Sequence, residues 1–186
     1  MLVTAPVSQF VHSVIQKVWL EDIKQDFDEK RLLRERSLQC SFYYHLRRRL
    51  GEDFIEENNI QLYPEFPIGN EKADLAVVVV DPNSTAINLE DRVTEVLSII
   101  EMKHKNAKAR ERCFDEDIDK IMSYIKYIQS DAMYYIAFIR EKYFDPNEVI
   151  NWITNEQALE SNGQLTEMHS YGNLHTDEMI WNVIEY

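Results

Sequence analysis

Cysteine is nearly missing from this chain: Cys40 and Cys113 are the only two in 186 residues. They form neither a zinc-type cluster nor a disulfide framework, so a reducing cytoplasm is the expected setting. Glycine (four) and proline (five) are scarce too, and no repeat, low-complexity tract or linker divides the chain. One domain is expected, long enough to bury a proper core. Long apolar runs are also absent. Pro6, Gln9, His12, Gln16 and Lys17 interrupt the N-terminal segment, which excludes a membrane span there, and no basic stretch leads into an apolar one as in a signal peptide. The last deficit is positive charge, with 20 Lys and Arg against 33 Asp and Glu and a net charge of −13. That balance counts against a simple nucleic-acid binder, because phosphate contacts come from cations.

Hydrophobic residues at 45% and aromatics at 11% describe a folded chain,. The few cations are concentrated. One group is Lys30, Arg31, Arg34, Arg36, Arg47, Arg48 and Arg49, and another is Lys103, Lys105, Lys108, Arg110 and Arg112. Beyond Arg140 only Lys142 stands against nine acids. Local patches matter more for binding than the total, although charge runs are commonly just solvated helix or loop faces.

Apolar spacing orders the elements. Val7, Phe10, Val11, Val14, Ile15 and Val18 predict an amphipathic helix over about 6–26, with Pro6 tolerated in its first turn,. Phe10 and Trp19 on this helix offer a surface for a homodimer, with core packing the commoner reason for the pattern. A second helix is expected over 29–50, ending before Gly51. Tyr63 to Ile68 reads as a strand that Pro64 and Pro67 confine to an edge. Asp74 to Val80 is a strand buried on both faces. Asp81-Pro82-Asn83-Ser84 turns the chain into a loop reaching Arg92, and Val93 to Lys103 is the next strand. A helix over 115–129 carries Ile118, Ile121, Met122, Ile125 and Ile128 on one stripe. Met133 to Ile139 is a strand, Asp145 to Thr154 a capped helix and Met179 to Tyr186 a final strand. Residues 155–175 are polar and give no assignment. The sum is an α/β fold, a mixed sheet flanked by helices, with an extra N-terminal helix and C-terminal additions.

The chemistry concentrates where two strands meet. Asp74 opens one apolar strand and Glu101-Met102-Lys103 closes the next. Antiparallel pairing brings the start of the first beside the end of the second, so Asp74, Glu101 and Lys103 converge at one sheet edge. Alternation puts Glu101 and Lys103 on one face and turns Met102 away. An acid-x-lysine tripeptide alone is common: chance gives about two, and the chain has three,. Its place at the end of a buried strand is what selects this one. Two close carboxylates repel, which raises the pKa of one, and their oxygens suit a hard divalent cation.

Ala73-Asp74-Leu75-Ala76-Val77-Val78 and Ile99-Ile100-Glu101-Met102-Lys103, with a preceding helix carrying Glu35 and a following helix leading into another strand, resemble the PD-(D/E)xK nuclease superfamily, whose fold is restriction-endonuclease-like. The likeness covers about residues 30–140 of a single domain spanning 1–186, and it departs from the family pattern at Ala73, where a proline is usual. The resemblance implies Mg²⁺ or Mn²⁺ held by Asp74, Glu101 and the Met102 carbonyl. It also implies that Lys103 acts on the attacking water, that Glu35 gives metal support, and that the reaction is phosphodiester hydrolysis. Lys105, Lys108, Arg110 and Arg112 are then placed to meet a DNA backbone, duplex DNA being the leading substrate. Glu65 is a further acid, read as an exposed edge carboxylate. His104 is read as a surface histidine, and Asp117, Asp119, Lys120 and Tyr124 as helix residues either facing the site or salt-bridged at the surface. Tyr43, Tyr44, Tyr134 and Tyr135 are expected in the core or an interface. A protein partner that supplies targeting fits the acidic charge, as does a non-catalytic module of the same fold.

Overall fold

The computed structural model describes residues 5–128, 130–149 and 151–186. The N-terminal apolar stripe forms α1 (Ala5–Lys17), which runs through a π-helical stretch, Val18–Ile23, into α2 (Lys24–Asp28). The expected second helix starts later than its periodicity suggested. A turn with Lys30 at φ 62° interrupts the chain, and α3 (Glu35–Leu50) begins with Ser37 and Arg34 closing its first turn. Gly51, at φ 80°, ends α3 and leads into the short α4 (Glu52–Glu57).

Three strands follow as an antiparallel meander: β1 (Ile60–Ile68), β2 (Glu71–Val80) and β3 (Val93–Asn106). The crossover helix α5 (Arg112–Ile128) returns the chain to β4 (Met133–Phe144), which lies parallel to β3. The expected last residue of that helix, Gln129, lies outside the described residues. The sheet has six strands in simple sequence order, β1 to β6. β1, with its two prolines, is an edge, as the missing N–H groups require.

Two segments differ from expectation. Asp145-Pro146-Asn147-Glu148 makes only a 3-10 turn, Pro146–Glu148, and the helix lies further on as α6 (Asn155–Ser161), capped by Thr154. Ile150, inside the expected helix, lies outside the described residues. The Asp145 carboxylate satisfies the turn by accepting from the Asn147 N–H, while Thr154 and Gln157 form the reciprocal cap that starts a true helix,. The second difference is larger. Leu165–Asn173, unassigned from sequence, is β5, an interior strand pairing with β4 in parallel and with β6 (Glu178–Glu185) antiparallel. Its two buried ionisable residues, Glu167 and His169, are held by hydrogen bonds, while the Thr166 and Ser170 hydroxyls are buried without a partner among the described residues. Glu167 accepts from the backbone N–H groups of Trp152 and Ile153 at 3.0 and 3.1 Å, from the Tyr186 hydroxyl at 2.8 Å and from His169. A fully paired carboxylate survives where an unpaired one would cost several kcal/mol.

The two sheet faces carry separate cores. One is covered by α1 to α4 with Leu75, Val77, Ile100 and Met102 beneath them. The other is covered by α5 and α6 over Ala76, Val78, Ile99 and Phe138. Trp19 is fully buried, packs edge-on against Trp181 and donates to the Asn182 carbonyl. It therefore serves the core and is not available to a dimer, whereas Phe10 is 41% exposed. Tyr134 and Tyr135 are core residues, and Tyr44 is exposed. No helix among the described residues is long and apolar enough to cross a membrane.

Candidate functional site

Pairing of β2 with β3 runs to Leu75 opposite Ile100, and the next residues are Asp74 and Glu101. Here the strands separate. The Asp74 carboxylate fills the gap by accepting from the Met102 N–H at 2.7 Å through Oδ2 and from the Gln39 side chain at 2.8 Å through Oδ1. In an extended strand the N–H and C=O of one residue point to the same side. The Met102 carbonyl therefore faces the same gap, while its side chain is buried beneath α1–α3.

Glu101 lies on the α5 face at 1% exposure. Its Oε1 accepts from the Tyr124 hydroxyl at 3.3 Å, and the Lys120 ammonium is 3.6 Å from Oε2. Lys103, two residues on, sits 2.7 Å from Asp117 and 3.6 Å from Glu35. Glu35, the first residue of α3, also receives Lys105 at 2.9 Å. Four acids (Glu35, Asp74, Glu101, Asp117) thus share three lysines (103, 105, 120).

The electrostatics follow from burial and this imbalance. Burial, opposed by the Met102 N–H and assisted by the charges of Asp117 and Glu35, raises Asp74 from the ordinary 3.8 to about 6. Burial and then the neighbouring Asp74 raise Glu101 from 4.5 to about 8, against the pull of Lys120. Burial works against the Lys103 ammonium, yet Asp117, with Glu35 and Asp74, holds its pKa above the ordinary 10.5. Near neutral pH the Asp74–Glu101 pair holds a proton in place of a compensating cation.

Two carboxylates short of positive charge, with a backbone carbonyl between them, form an oxygen donor set suited to a hard divalent ion. The fit is to two acids, not three. Among the described residues no group of three or more His, Cys, Asp or Glu stands ready to hold a metal, because Asp117 is drawn to Lys103 and Glu35 to Lys105.

An open cleft of about 630 Å³ leads to Asp74 and is lined by Arg34, Glu35, Arg36, Gln39, Glu65 and Lys105, among others. Glu65 is exposed at its wall, and its residue stands opposite Asp74 where β1 leaves regular pairing, with φ at 54°. Of the expected basic residues, Lys105 is held by Glu35 and Arg112 by Glu116 at 2.9 Å, while Lys108 and Arg110 are exposed with no ion pair among the described residues. Arg34 and Arg36 at the cleft are likewise exposed without one. The run at Arg47, Arg48 and Arg49 is committed to Glu52, Asp22 and Glu21.

His104 departs from its expected surface position. It is 7% exposed and bonded to Glu141 at 2.8 Å, because it points to the face opposite Lys103, under the first helices near Phe27. Asp117, Lys120 and Tyr124 all turn toward the site, and Asp119 is exposed. Gln39, one turn beyond Glu35 on α3, joins the site through Asp74. The available signal for Asp117 was its position, three residues after Phe114 and four before Ile121 on a stripe otherwise buried and apolar. Comparison with known proteins adds no relative: no family model, curated protein or solved structure matches the chain.

Proposed function

We propose that this chain is a metal-dependent nuclease domain of the restriction-endonuclease-like type, hydrolysing phosphodiester bonds in DNA, with duplex DNA as its substrate. One observation carries the reading. Asp74, half-buried, and Glu101, buried, meet short of positive charge where β2 and β3 part, with Lys103 two residues beyond Glu101 on the same face. The succession of helix, three antiparallel strands, helix and parallel strand in α3 to β4 agrees with it.

Asp74, Glu101 and the Met102 carbonyl would hold Mg²⁺ or Mn²⁺, which supplies Lewis-acid polarisation of a phosphoryl oxygen and a lowered water pKa. The protein's own groups do the rest. Lys103, kept protonated by Asp117, presents a fixed positive charge where negative charge accumulates on the phosphate,. Glu35 holds Lys103 and Lys105 at the end of the sheet. Arg34, Arg36, Lys108 and Arg110 supply unpaired cations for the backbone on either side, and the acids around them limit binding to duplexes that reach this cleft.

A non-catalytic interaction module of the same fold is favoured by a different observation: both Asp74 oxygens and the Lys103 ammonium already have internal partners. Cleavage of circular and linear duplex DNA in Mg²⁺, Mn²⁺ or EDTA separates the two, with Asp74→Ala and Lys103→Ala beside wild type. Metal-dependent cutting lost in both variants is the expected outcome. Absence of cutting, together with no rise in thermal stability on adding metal, would overturn the nuclease reading and leave the module.

A further inference from the structure

A second cavity, of about 320 Å³, opens on the α5 face beyond the ends of β4 and β5, where Arg140, Phe144, Trp152 and Tyr171 line it and Asp115 and Glu148 stand at its mouth. Arg140 is adjacent to Lys105 in the sheet register, so the cavity begins about 5 Å, one strand spacing, from the site already described,.

Arg140 is 4% exposed, and its guanidinium stands 5.6, 5.3 and 5.8 Å from the ring centres of Phe114, Phe144 and Trp152. One nitrogen pairs with Glu111, a half-exposed rim residue, and Nε has no hydrogen-bond partner. Burial pulls its pKa down, and Glu111 is the one carboxylate paired with it among the described residues. A buried donor left unpaired is costly, and more so when it belongs to a charged group. Trp152 is fixed at this wall: it stacks on Phe114 at 4.6 Å, and its backbone N–H is held by the buried Glu167.

We infer that this cavity binds an unpaired guanine base. Arginine is the donor best matched to the O6 and N7 acceptors of guanine, and aromatic walls stack any base. The remaining edge of guanine, N1–H and the 2-amino group, needs acceptors, which Asp115 and Glu148 supply. The same carboxylates disfavour a phosphate in the cavity, and adenine offers no acceptor in place of O6. The volume suits one base or nucleoside. The inference extends the nuclease reading with a pocket that takes one base turned out of the bound duplex, and it rests on that reading only for the source of the base.

Calorimetric titration of the full chain in EDTA with guanosine, guanosine monophosphate, adenosine and inorganic phosphate tests it without metal or cleavage. Guanosine should saturate one site, with the monophosphate no tighter, and adenosine and phosphate at least tenfold weaker. Arg140→Lys should weaken guanosine at least tenfold. Because that variant is buried, the double variant Asp115→Ala/Glu148→Ala, both exposed, is run beside it and should also lose at least tenfold. No saturable guanosine binding, equal binding of adenosine, competition by phosphate, or unchanged binding in the double variant overturns the inference. A protein that cuts DNA yet ignores guanosine refutes this pocket alone, and one that binds guanosine but neither cuts nor gains thermal stability from metal refutes the nuclease reading alone.

Discussion

Replacing Glu101 by glutamine should make the metal-free protein more stable at pH 8.5, although it alters a buried residue at the centre of the sheet. The side chain keeps its shape and can still receive the Tyr124 hydroxyl. What disappears is a carboxyl group whose pKa burial and Asp74 raise from 4.5 to about 8. Between those values the folded protein binds a proton that the unfolded chain has released. Stability from this group is therefore lost as pH rises across the window. At about 1.36 kcal/mol per pH unit, the rise corresponds to roughly 5 kcal/mol at most. Loss of the Lys120 attraction at 3.6 Å and the burial of an amide offset part of it. About 2–4 kcal/mol of stabilisation should remain, which for a chain of this size is roughly 5–15 °C in melting temperature. Melting curves in EDTA should converge near pH 5 and separate progressively toward pH 8.5. Mg²⁺ at about a thousandfold over Kd should reverse the order, since a site so filled adds about 4.1 kcal/mol to wild type alone. If the glutamine variant melts below wild type in EDTA at pH 8.5, or if the gap does not close on acidification, the charge imbalance assigned to this pair is wrong.

Asp117→Asn should slow cleavage about tenfold or more and move the alkaline limb of the pH–rate profile to lower pH, because Lys103 loses the carboxylate that keeps it protonated,. An unshifted limb would remove Lys103 from the reaction. Glu167→Gln should cost about 3–5 kcal/mol in urea unfolding at pH 7, since the amide cannot serve all four donors that the carboxylate accepts,. Burial works against the Glu167 charge, but His169 and these donors hold its pKa below 4.5. Its stabilisation is thus present above pH 4.5 and lost as pH falls through the lowered value, a loss that acid titration of wild type shows and the variant lacks. Arg36→Ala and Lys108→Ala should each reduce the salt dependence of DNA binding by about one phosphate contact. The same change at Arg47, held by Glu52, should leave that slope unaltered.

The central strands and the long helices follow directly from the residue pattern. The Val-rich run after Asp74 is buried on both faces, and the stripe of Ile118, Ile121 and Met122 packs on the sheet. Antiparallel pairing alone then brings the start of β2 beside the end of β3, and so Asp74 near Glu101, although bulges between Val77 and Val78 and between Val79 and Val80 shift the register along the way,. The interior strand β5 was not legible. Thr166, Glu167, His169 and Ser170 read as loop residues until Trp152, Ile153, Tyr186 and Asn182, contributed by other parts of the chain, are set around the strand to pair with Glu167 and His169.

Local order and the meeting of two acids were therefore determined by the sequence, since both depend on short-range periodicity and on one pairing of adjacent strands. Which charges remain free was decided only in three dimensions. Asp117 captures Lys103, Gln39 engages Asp74, and Arg47 to Arg49 are tied to the first helices, while Arg34, Arg36, Lys108 and Arg110 are left exposed. The buried Arg140 and its aromatic walls likewise come from β4, α5 and the segment after the 3-10 turn. The physical reason is common to all of these. An ion pair or a desolvated cation depends on distances between side chains far apart along the chain, and no period of the sequence encodes them.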